Sequence, residues 1–229
     1  YFQLQHDSGG GVDFNRIWPG KADGNAAEQQ VHRIFNGIWS GNADTVIDLH
    51  TQSTGTAYPL YIYADYRVAG VKTLAELFPA DIIKIDPGEP GAAEQAFNDA
   101  GMASITLEIG AAKVYQPELI ARALTGVDNV LKHYGMLSGK PGRDARAQRS
   151  FIGNQTRSIR AESGGFAEVL VALNQDVKAG DLLFEIGGRP PGQPGGQVGG
   201  SQRLRRQGVQ VAGIDEAVVV KALILGMVR

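Results

Sequence analysis

The clearest hydrophobic pattern in the chain predicts an amphipathic helix over residues 26–40. Apolar residues recur there at intervals of three and four positions, which places them on one face of an α-helix. Asn25 precedes this pattern and is a suitable N-cap, because its side chain can accept hydrogen bonds from the first unpaired backbone N–H groups of a helix. The predicted face consists of Val31, Ile34, Phe35, Ile38 and Trp39.

Short apolar segments then alternate with further helical patterns as far as residue 136. Strands are predicted where β-branched and aromatic residues cluster between turn signals. Strands that alternate with helices are typical of a layered α/β domain with a largely parallel sheet. The predicted strands cover residues 45–51, 59–67, 81–86 and 102–110, and the predicted helices cover residues 73–78, 92–101 and 116–135.

The alternation stops near residue 136, and this change predicts the domain organisation. We expect an α/β domain over residues 4–136 and a glycine-rich, basic linker over residues 137–150. Short strand-like segments separated by turns then predict a small β domain over residues 151–229. Within it, residues 187–208 are rich in Gly, Pro, Gln and Arg, and they are predicted to form a disordered or exposed loop.

Composition narrows the classes of function without choosing one. The 229 residues carry a formal net charge of −2, which gives no reason to expect a nucleic acid or an anionic membrane as a partner. No apolar run reaches the length of about 18 residues that a membrane span needs, and we expect a cytoplasmic protein. The chain has no cysteine, so any metal must be held by carboxylates and by the 4 histidines.

Polar residues interrupt the apolar sequence at three places near the ends of predicted elements. These are the stretch DFNR (13–16), the stretch DLH (48–50) and Glu108 in TLEIG. Ligands bind at the carboxyl ends of strands in open parallel sheets, so we expect His50 and Glu108 to converge at one edge. Asp48 lies two residues before His50 on the same strand, and it can therefore orient the imidazole from the same face of the sheet.

Each of these residues also has an ordinary structural interpretation. Arg16 can be a loop arginine that pairs with Asp13 or stacks on Trp18. His50 can be a hydrogen-bonded structural histidine, and Glu108 can be an acid on an edge strand. Taken by themselves, these residues leave both the structural and the functional interpretations open.

The order D-x-N-R-x-x-P-G, then D-L-H, then a strand that ends E-x-G resembles the succinylglutamate desuccinylase/aspartoacylase family. These proteins are zinc-dependent deacylases related to the zinc carboxypeptidases. The resemblance covers residues 12 to about 135. It implies an α/β fold of three layers, like that of a zinc carboxypeptidase, in which helices flank a sheet and a small C-terminal β domain follows.

The resemblance also implies a role for each matching residue. His50 would be a zinc ligand, and Glu108 would be the general base. Asn15 and Arg16 would bind the carboxylate of the substrate or polarise its carbonyl, and Asp13 would support their loop. The activity implied is removal of an acyl group from a small carboxylate-bearing molecule, such as an N-acyl amino acid, by metal-activated water that cleaves an amide or ester bond.

One feature of the family has no counterpart in the sequence. The family has an H-x-x-E pair of zinc ligands upstream of the DxNR loop, whereas the upstream histidine here is His6, in HDSG. Zinc with a single protein ligand is not a tight catalytic site. Either residues that belong before Val12 are missing from the sequence, as the tag-like start YFQ indicates, or the chain is a truncated form. We expect the first.

Three functions follow from these expectations. The first is a deacylase with one zinc ion that acts on a small molecule, with homo-oligomer formation left open. The second is a truncated, zinc-free remnant that binds a small anion or a partner protein. The third is a metallocarboxypeptidase that acts on peptides. Zinc content separates the first two, since the enzyme needs the ion and the remnant does not.

Overall fold

The structure is a computed structural model that describes most of the chain. The described residues are 12–53, 55–156, 166–178, 180–187, 198–203 and 220–221. They divide into two units. The first unit, called the central unit below, contains the chain up to Thr51, then Leu60–Gly110 and Tyr115–Gln155, and the second unit contains Gln52–Pro59, Ala111–Val114 and the chain from Thr156.

A sheet of five strands forms the middle of the central unit. Its strands are β1 (Thr45–His50), β2 (Leu60–Ala64), β3 (Ile82–Ile85), β4 (Ala103–Ile109) and β5 (Phe151–Gly153), in the order β1-β4-β2-β3-β5. The pairs β1–β4, β2–β3 and β3–β5 are parallel, whereas β2 and β4 are antiparallel. The expectation of a largely parallel sheet is therefore confirmed for three of the four strand pairs, and β2 against β4 is the exception. The chain crosses the sheet after β3, and β4 inserts between β1 and β2 in the direction of β1.

Five α-helices accompany this sheet in the described part of the chain, and a short 3-10 helix, Phe14–Arg16, precedes them. They are α1 (Ala26–Ile34), which continues as a π-helical segment (Phe35–Trp39), α2 (Val71–Glu76), α3 (Ala93–Asp99), α4 (Pro117–His133) and α5 (Ala145–Gln148). The predicted cap of the first helix is confirmed, because the Asn25 side chain accepts hydrogen bonds from the backbone N–H groups of Ala27 and Glu28, each at 3.0 Å. The fold is thus mixed α/β, with helices flanking a central sheet.

The helices bury two separate apolar clusters. The larger cluster joins β2, β3 and β4 to α2 and α4, and its fully buried side chains include Leu60, Ile83 and Phe78. The smaller cluster centres on Phe97 of α3, which is stacked with Phe35 at 5.5 Å between ring centroids and contacts Trp18 at 5.4 Å. Burying a large apolar side chain stabilises a fold by roughly 1.5–3 kcal/mol. The smaller cluster therefore holds the segment that contains Trp18 against α3.

Gly126 of α4 packs directly on Phe78. A Cβ atom at Gly126 would lie 1.9 Å from Cδ1 of Phe78, a side chain with no solvent exposure. Alanine normally favours a helix over glycine by about 1 kcal/mol. Here the added methyl group would overpack the core, so we expect Gly126→Ala to lower the free energy of unfolding by about 1–3 kcal/mol.

The measurement for this prediction is urea unfolding followed by tryptophan fluorescence, because both tryptophans, Trp18 and Trp39, belong to the central unit. Gly37→Ala is the matched control, since Gly37 is also helical and a Cβ there meets nothing within 4 Å. We expect the control to be neutral or stabilising. Equal effects of the two substitutions would contradict the packing argument.

The segment predicted as a linker, residues 137–150, contains a short helix and hydrogen bonds to the helix before it. The buried Asn129 of α4 donates to the backbone carbonyl of Arg143 at 2.8 Å and accepts from the N–H of Gly142. The chain then passes through α5 into β5, which pairs with β3. Residues 151–153, where the sequence predicts the start of a β domain, are therefore paired with the central sheet.

The second unit contains the remaining strands. They are β6 (Phe166–Val169), β7 (Asp176–Val177), β8 (Leu182–Gly187), β9 (Val198–Arg203) and β10 (Val220–Lys221), and they form the sheets β6-β8-β9 and β10-β7. β9 lies inside residues 187–208, where the sequence predicts a disordered or exposed loop. Composition does not predict this strand, because strand pairing uses backbone groups that composition does not report. Residues 188–197 and 204–208 lie outside the described residues. Across the described ranges, every helix is too short or too polar to span a membrane.

Candidate active site

The register of the sheet brings the predicted polar residues into neighbouring rows. His50 on β1 is paired with Glu108 on β4, and Glu108 is paired with Tyr61 on β2. Two positions earlier along β1, Asp48 is paired with Thr106. Residues that are directly paired lie on the same face of a sheet, as do residues two positions apart on one strand. The predicted convergence of His50 and Glu108 is therefore present in the structure.

His50 is oriented by Asp48. Its Nε2 atom lies 2.9 Å from Oδ2 of Asp48. This hydrogen bond raises the pKa of His50, together with the nearby carboxylates of Glu108 and Asp13, whereas burial of the ring opposes the rise. Because Nε2 donates its hydrogen to the carboxylate, Nδ1 is the nitrogen whose lone pair remains for a metal ion or another donor.

Glu108 is a buried acid. Only 7% of its surface is exposed, and the preceding residue, Leu107, is fully buried. A carboxylate in such a place is stable only where polar or charged groups compensate its lost hydration. His50 on β1 and Tyr61 on β2 flank it in the sheet.

The amide of Asn15 connects the N-terminal end of α3 to this site. Its Oδ1 atom accepts a hydrogen bond from the backbone N–H of Ala93 at 2.7 Å. The amide nitrogen must then point the other way, and it lies 3.5 Å from Nε2 of His50. Asp13 holds the same loop, because its Oδ1 atom accepts from the backbone N–H of Asn15 at 2.8 Å. Asn15 therefore presents a donor group beside the imidazole.

Arg16 is half exposed and has several partners. Its Nη1 atom donates to the backbone carbonyl of Asn15 at 2.8 Å, and its Nη2 atom lies 3.2 Å from Oε2 of Glu89. The contact with Asp13, which the sequence predicts as a structural alternative, is longer, at 3.9 Å. The structure thus places Arg16 in the same loop as Asn15 with its guanidinium reachable from solvent.

Glu94 is a buried acid that the sequence does not single out. It lies in the first turn of α3 with 4% of its surface exposed. Burial raises the pKa of Glu94 to about 8; a hydrogen bond from Thr106 opposes this, and the carboxylates of Asp86, Asp65 and Asp48 add to it. The raised pKa therefore favours the protonated form of Glu94 at neutral pH. The burial of Glu94 depends on how α3 packs on the sheet, which no local pattern reveals.

The described part of the chain supplies one imidazole at this site. No group of three or more His, Asp or Glu residues that could hold a metal ion is found among the described residues. Tight catalytic zinc sites use three protein ligands. His50 fits such a role, since Asp48 fixes its ring and leaves Nδ1 available, but the described residues alone do not make a complete zinc site.

Comparison with known proteins agrees with the motif order and the fold. The chain matches the family model of the succinylglutamate desuccinylase/aspartoacylase catalytic domain over residues 6–134. It is 25% identical over 192 residues to the N-alpha-acetyl-L-2,4-diaminobutyric acid deacetylase of Halomonas elongata. The alignment covers 77% of this chain and 54% of that protein. The chain thus spans about half of the length of this curated relative.

Solved structures share the fold. The apo structure of the ectoine utilization protein EutE (DoeB) from Ruegeria pomeroyi has a TM-score of 0.69 at 23% identity, and the match covers 92% of this chain and 64% of that chain. A succinylglutamate desuccinylase from Silicibacter sp. TM1040 has a TM-score of 0.65 at 21% identity, over 85% of this chain and 60% of the other.

The region that matches the family model includes the DFNR loop, the DLH strand end and Glu108. It also includes β1 to β4 of the central sheet and the helices between them. Because the matched region is more than half of the sequence, the chain belongs to the succinylglutamate desuccinylase/aspartoacylase family.

Proposed function

We propose that the protein is a zinc-dependent deacylase that removes the acyl group of a small, carboxylate-bearing N-acyl amino acid. The observation that carries the proposal is the pairing of His50 with Glu108 on adjacent strands, with the amide nitrogen of Asn15 beside the imidazole. These groups are a metal ligand, a proton acceptor and a hydrogen-bond donor, which together suit the hydrolysis of an amide or ester.

Glu108 is the general base in this proposal. Its burial between β1 and β2 strengthens its electrostatic interactions, because few water molecules screen a carboxylate that is 7% exposed. It takes a proton from the attacking water and returns it to the leaving nitrogen or oxygen. The bond from the acyl carbon to that atom breaks, and the products are the free acid and the amine or alcohol.

Asn15 and Arg16 bind the substrate. The Ala93 N–H fixes the Asn15 amide, so that its nitrogen donates towards the site at no further ordering cost. The guanidinium of Arg16 offers a planar pair of donors that matches a carboxylate. Asp13 and Asp48 hold the loop and the imidazole in place.

Zinc would be held by His50 together with ligands outside the described residues, and it supplies Lewis-acid chemistry that activates water and polarises a carbonyl. The donor set supports this assignment in one respect. Asp48 fixes the imidazole in the carboxylate–histidine arrangement that is usual next to protein-bound zinc.

The relatives suggest the class of substrate. One is a deacetylase of N-alpha-acetyl-L-2,4-diaminobutyric acid and another is a succinylglutamate desuccinylase. Both names describe an amino acid with an acylated nitrogen. We therefore propose that this protein takes an N-acyl amino acid, with the carboxylate bound by Arg16.

The test is hydrolysis of a panel of N-acetyl and N-succinyl amino acids, combined with measurement of zinc by elemental analysis. We expect release of the free amine from at least one N-acyl amino acid, loss of this activity on chelation, and recovery on addition of zinc. Activity that survives removal of all metal would contradict the zinc proposal. Absence of both zinc binding and hydrolysis would favour a small-anion or partner-binding module, and release of amino acids from unacylated peptides would favour a metallocarboxypeptidase.

A further inference from the structure

Glu89 lies against the guanidinium of Arg16 and has no role in the reaction proposed above. Its Oε2 atom is 3.2 Å from Nη2 of Arg16, and the two side chains are 63% and 51% exposed. A ligand that approaches the guanidinium of Arg16 therefore meets the carboxylate of Glu89 already in contact with it.

The backbone that carries Glu89 is fixed to the loop that carries Arg16. The backbone N–H of Trp18 donates to the carbonyl of Gly91 at 2.9 Å, and the N–H of Ala92 donates to the carbonyl of Glu89 at 2.9 Å. Gly91 has a φ of +85°, and a Cβ atom there would lie 2.2 Å from the carbonyl oxygen of Arg16. The close approach of these two segments keeps Glu89 facing Arg16.

Arg16 uses different nitrogens for its two shortest contacts. Nη1 donates to the carbonyl of Asn15, and Nη2 lies 3.2 Å from Oε2 of Glu89. An arginine binds a carboxylate most strongly when two parallel N–H groups meet both carboxylate oxygens. A free carboxylate that enters the site can form this bidentate pair and displace Glu89.

We propose that Glu89 is a specificity-determining residue that competes with the substrate carboxylate for Arg16. The inference rests on the proposed function, in which Arg16 binds that carboxylate. In the free protein, Glu89 satisfies the guanidinium. Ligands that cannot form a better pair with Arg16 bind more weakly, and ligands with a well-placed carboxylate exchange with Glu89.

The first experiment measures the accessibility of Arg16 without using catalysis. Phenylglyoxal modifies guanidinium groups, and peptide mapping by mass spectrometry gives the rate for each arginine. We expect Glu89→Gln to increase the rate at Arg16 by about 2- to 5-fold, as loss of an exposed ion pair allows. Arg67, which Asp65 holds at 2.7 Å, is the internal reference whose rate stays constant. An unchanged or lower rate at Arg16 would overturn the proposal.

The second experiment adds N-acetylglycine as a carboxylate probe that protects Arg16 from modification. We expect half-maximal protection of Glu89→Gln at a concentration about 2- to 5-fold lower than for the unmodified sequence. The control is Glu118→Gln, which removes one exposed carboxylate from the first turn of α4 and should leave protection unchanged. Protection that needs a higher concentration in Glu89→Gln would show that Glu89 positions Arg16 instead of competing for it, and would overturn the proposal.

The same data separate this inference from the proposed function. Protection of Arg16 that is equal in both proteins overturns the role of Glu89 and leaves carboxylate binding by Arg16 intact. Absence of protection in both proteins overturns the assignment of Arg16 itself. Where a substrate is identified from the N-acyl amino acid panel, Glu89→Gln should lower KM for the carboxylate by about 2- to 5-fold and leave KM for the corresponding carboxamide unchanged.

Discussion

Replacing Glu108 with glutamine is expected to lower kcat for deacylation by about 10²–10⁴-fold, the range typical of a lost general base. Glutamine has nearly the same shape and can still hydrogen bond to its neighbours in the sheet, but it cannot take a proton from water. Glu108 is buried beside His50. The substitution therefore removes a chemical function while it preserves the packing around the site.

Zinc content must be measured on the same samples. We expect Glu108→Gln to bind zinc as well as the unmodified protein, because Glu108 acts on water in the proposal and is not a ligand. Glu118→Gln, at an exposed position of α4, is the control for the change in net charge and should keep full activity. Retained hydrolysis in Glu108→Gln would reject the base assignment, and a parallel loss of zinc would make Glu108 a ligand instead.

The second large effect concerns stability. We expect the free energy of unfolding to fall as the pH rises from 4.5 to about 8, and Glu94→Gln to remove the part of this fall that Glu94 causes. Burial raises the pKa of Glu94 from 4.5 to about 8. Between these values the unfolded chain releases the proton of Glu94 and the folded chain retains it, so the unfolded state gains stability with pH. At about 1.4 kcal/mol per pKa unit, the total is of the order of 3–5 kcal/mol.

Below pH 4.5 the carboxyl of Glu94 is protonated in both the folded and the unfolded state, and its destabilising effect disappears. Above pH 8 it is ionised in both states, and the destabilising effect is constant. Glutamine is neutral throughout, so Glu94→Gln should be more stable than the unmodified protein at pH 8 and of similar or slightly lower stability at pH 4.5. Urea unfolding at several pH values, followed by tryptophan fluorescence, gives the comparison. Glu118→Gln should keep the pH slope of the unmodified protein, and a parallel slope in Glu94→Gln would contradict the raised pKa.

Periodicity predicted those parts of the molecule that local sequence determines. The pattern of Val31 and Phe35 identified α1, and Asn25 caps this helix as expected, because both features depend on residues within one or two turns. The convergence of His50 and Glu108 was also predictable. Both strands run in the same direction and end at the same edge, as the general rule for parallel strands requires.

Residues that act across the fold could not be predicted in this way. Tyr61 lies beside Glu108 because β2 runs antiparallel to β4, and the sequence pattern favoured parallel pairing. Glu89 reaches Arg16 through a turn whose approach depends on Gly91, and Glu94 is buried by the docking of α3. Each of these contacts joins segments far apart in the chain, and a single sequence contains no local signal for them.

The division of the chain into two units has a consequence for how the protein could be shortened. The segment that follows β1, Gln52–Pro59, and the segment that follows β4, Ala111–Val114, both belong to the second unit. A gene that stopped after Gln155 would therefore still encode two loops of the second unit, including the buried Tyr58, without the strands that follow. Along the sequence, segments of the second unit alternate with the strands that carry His50 and Glu108. One cut in the gene therefore cannot separate the two units.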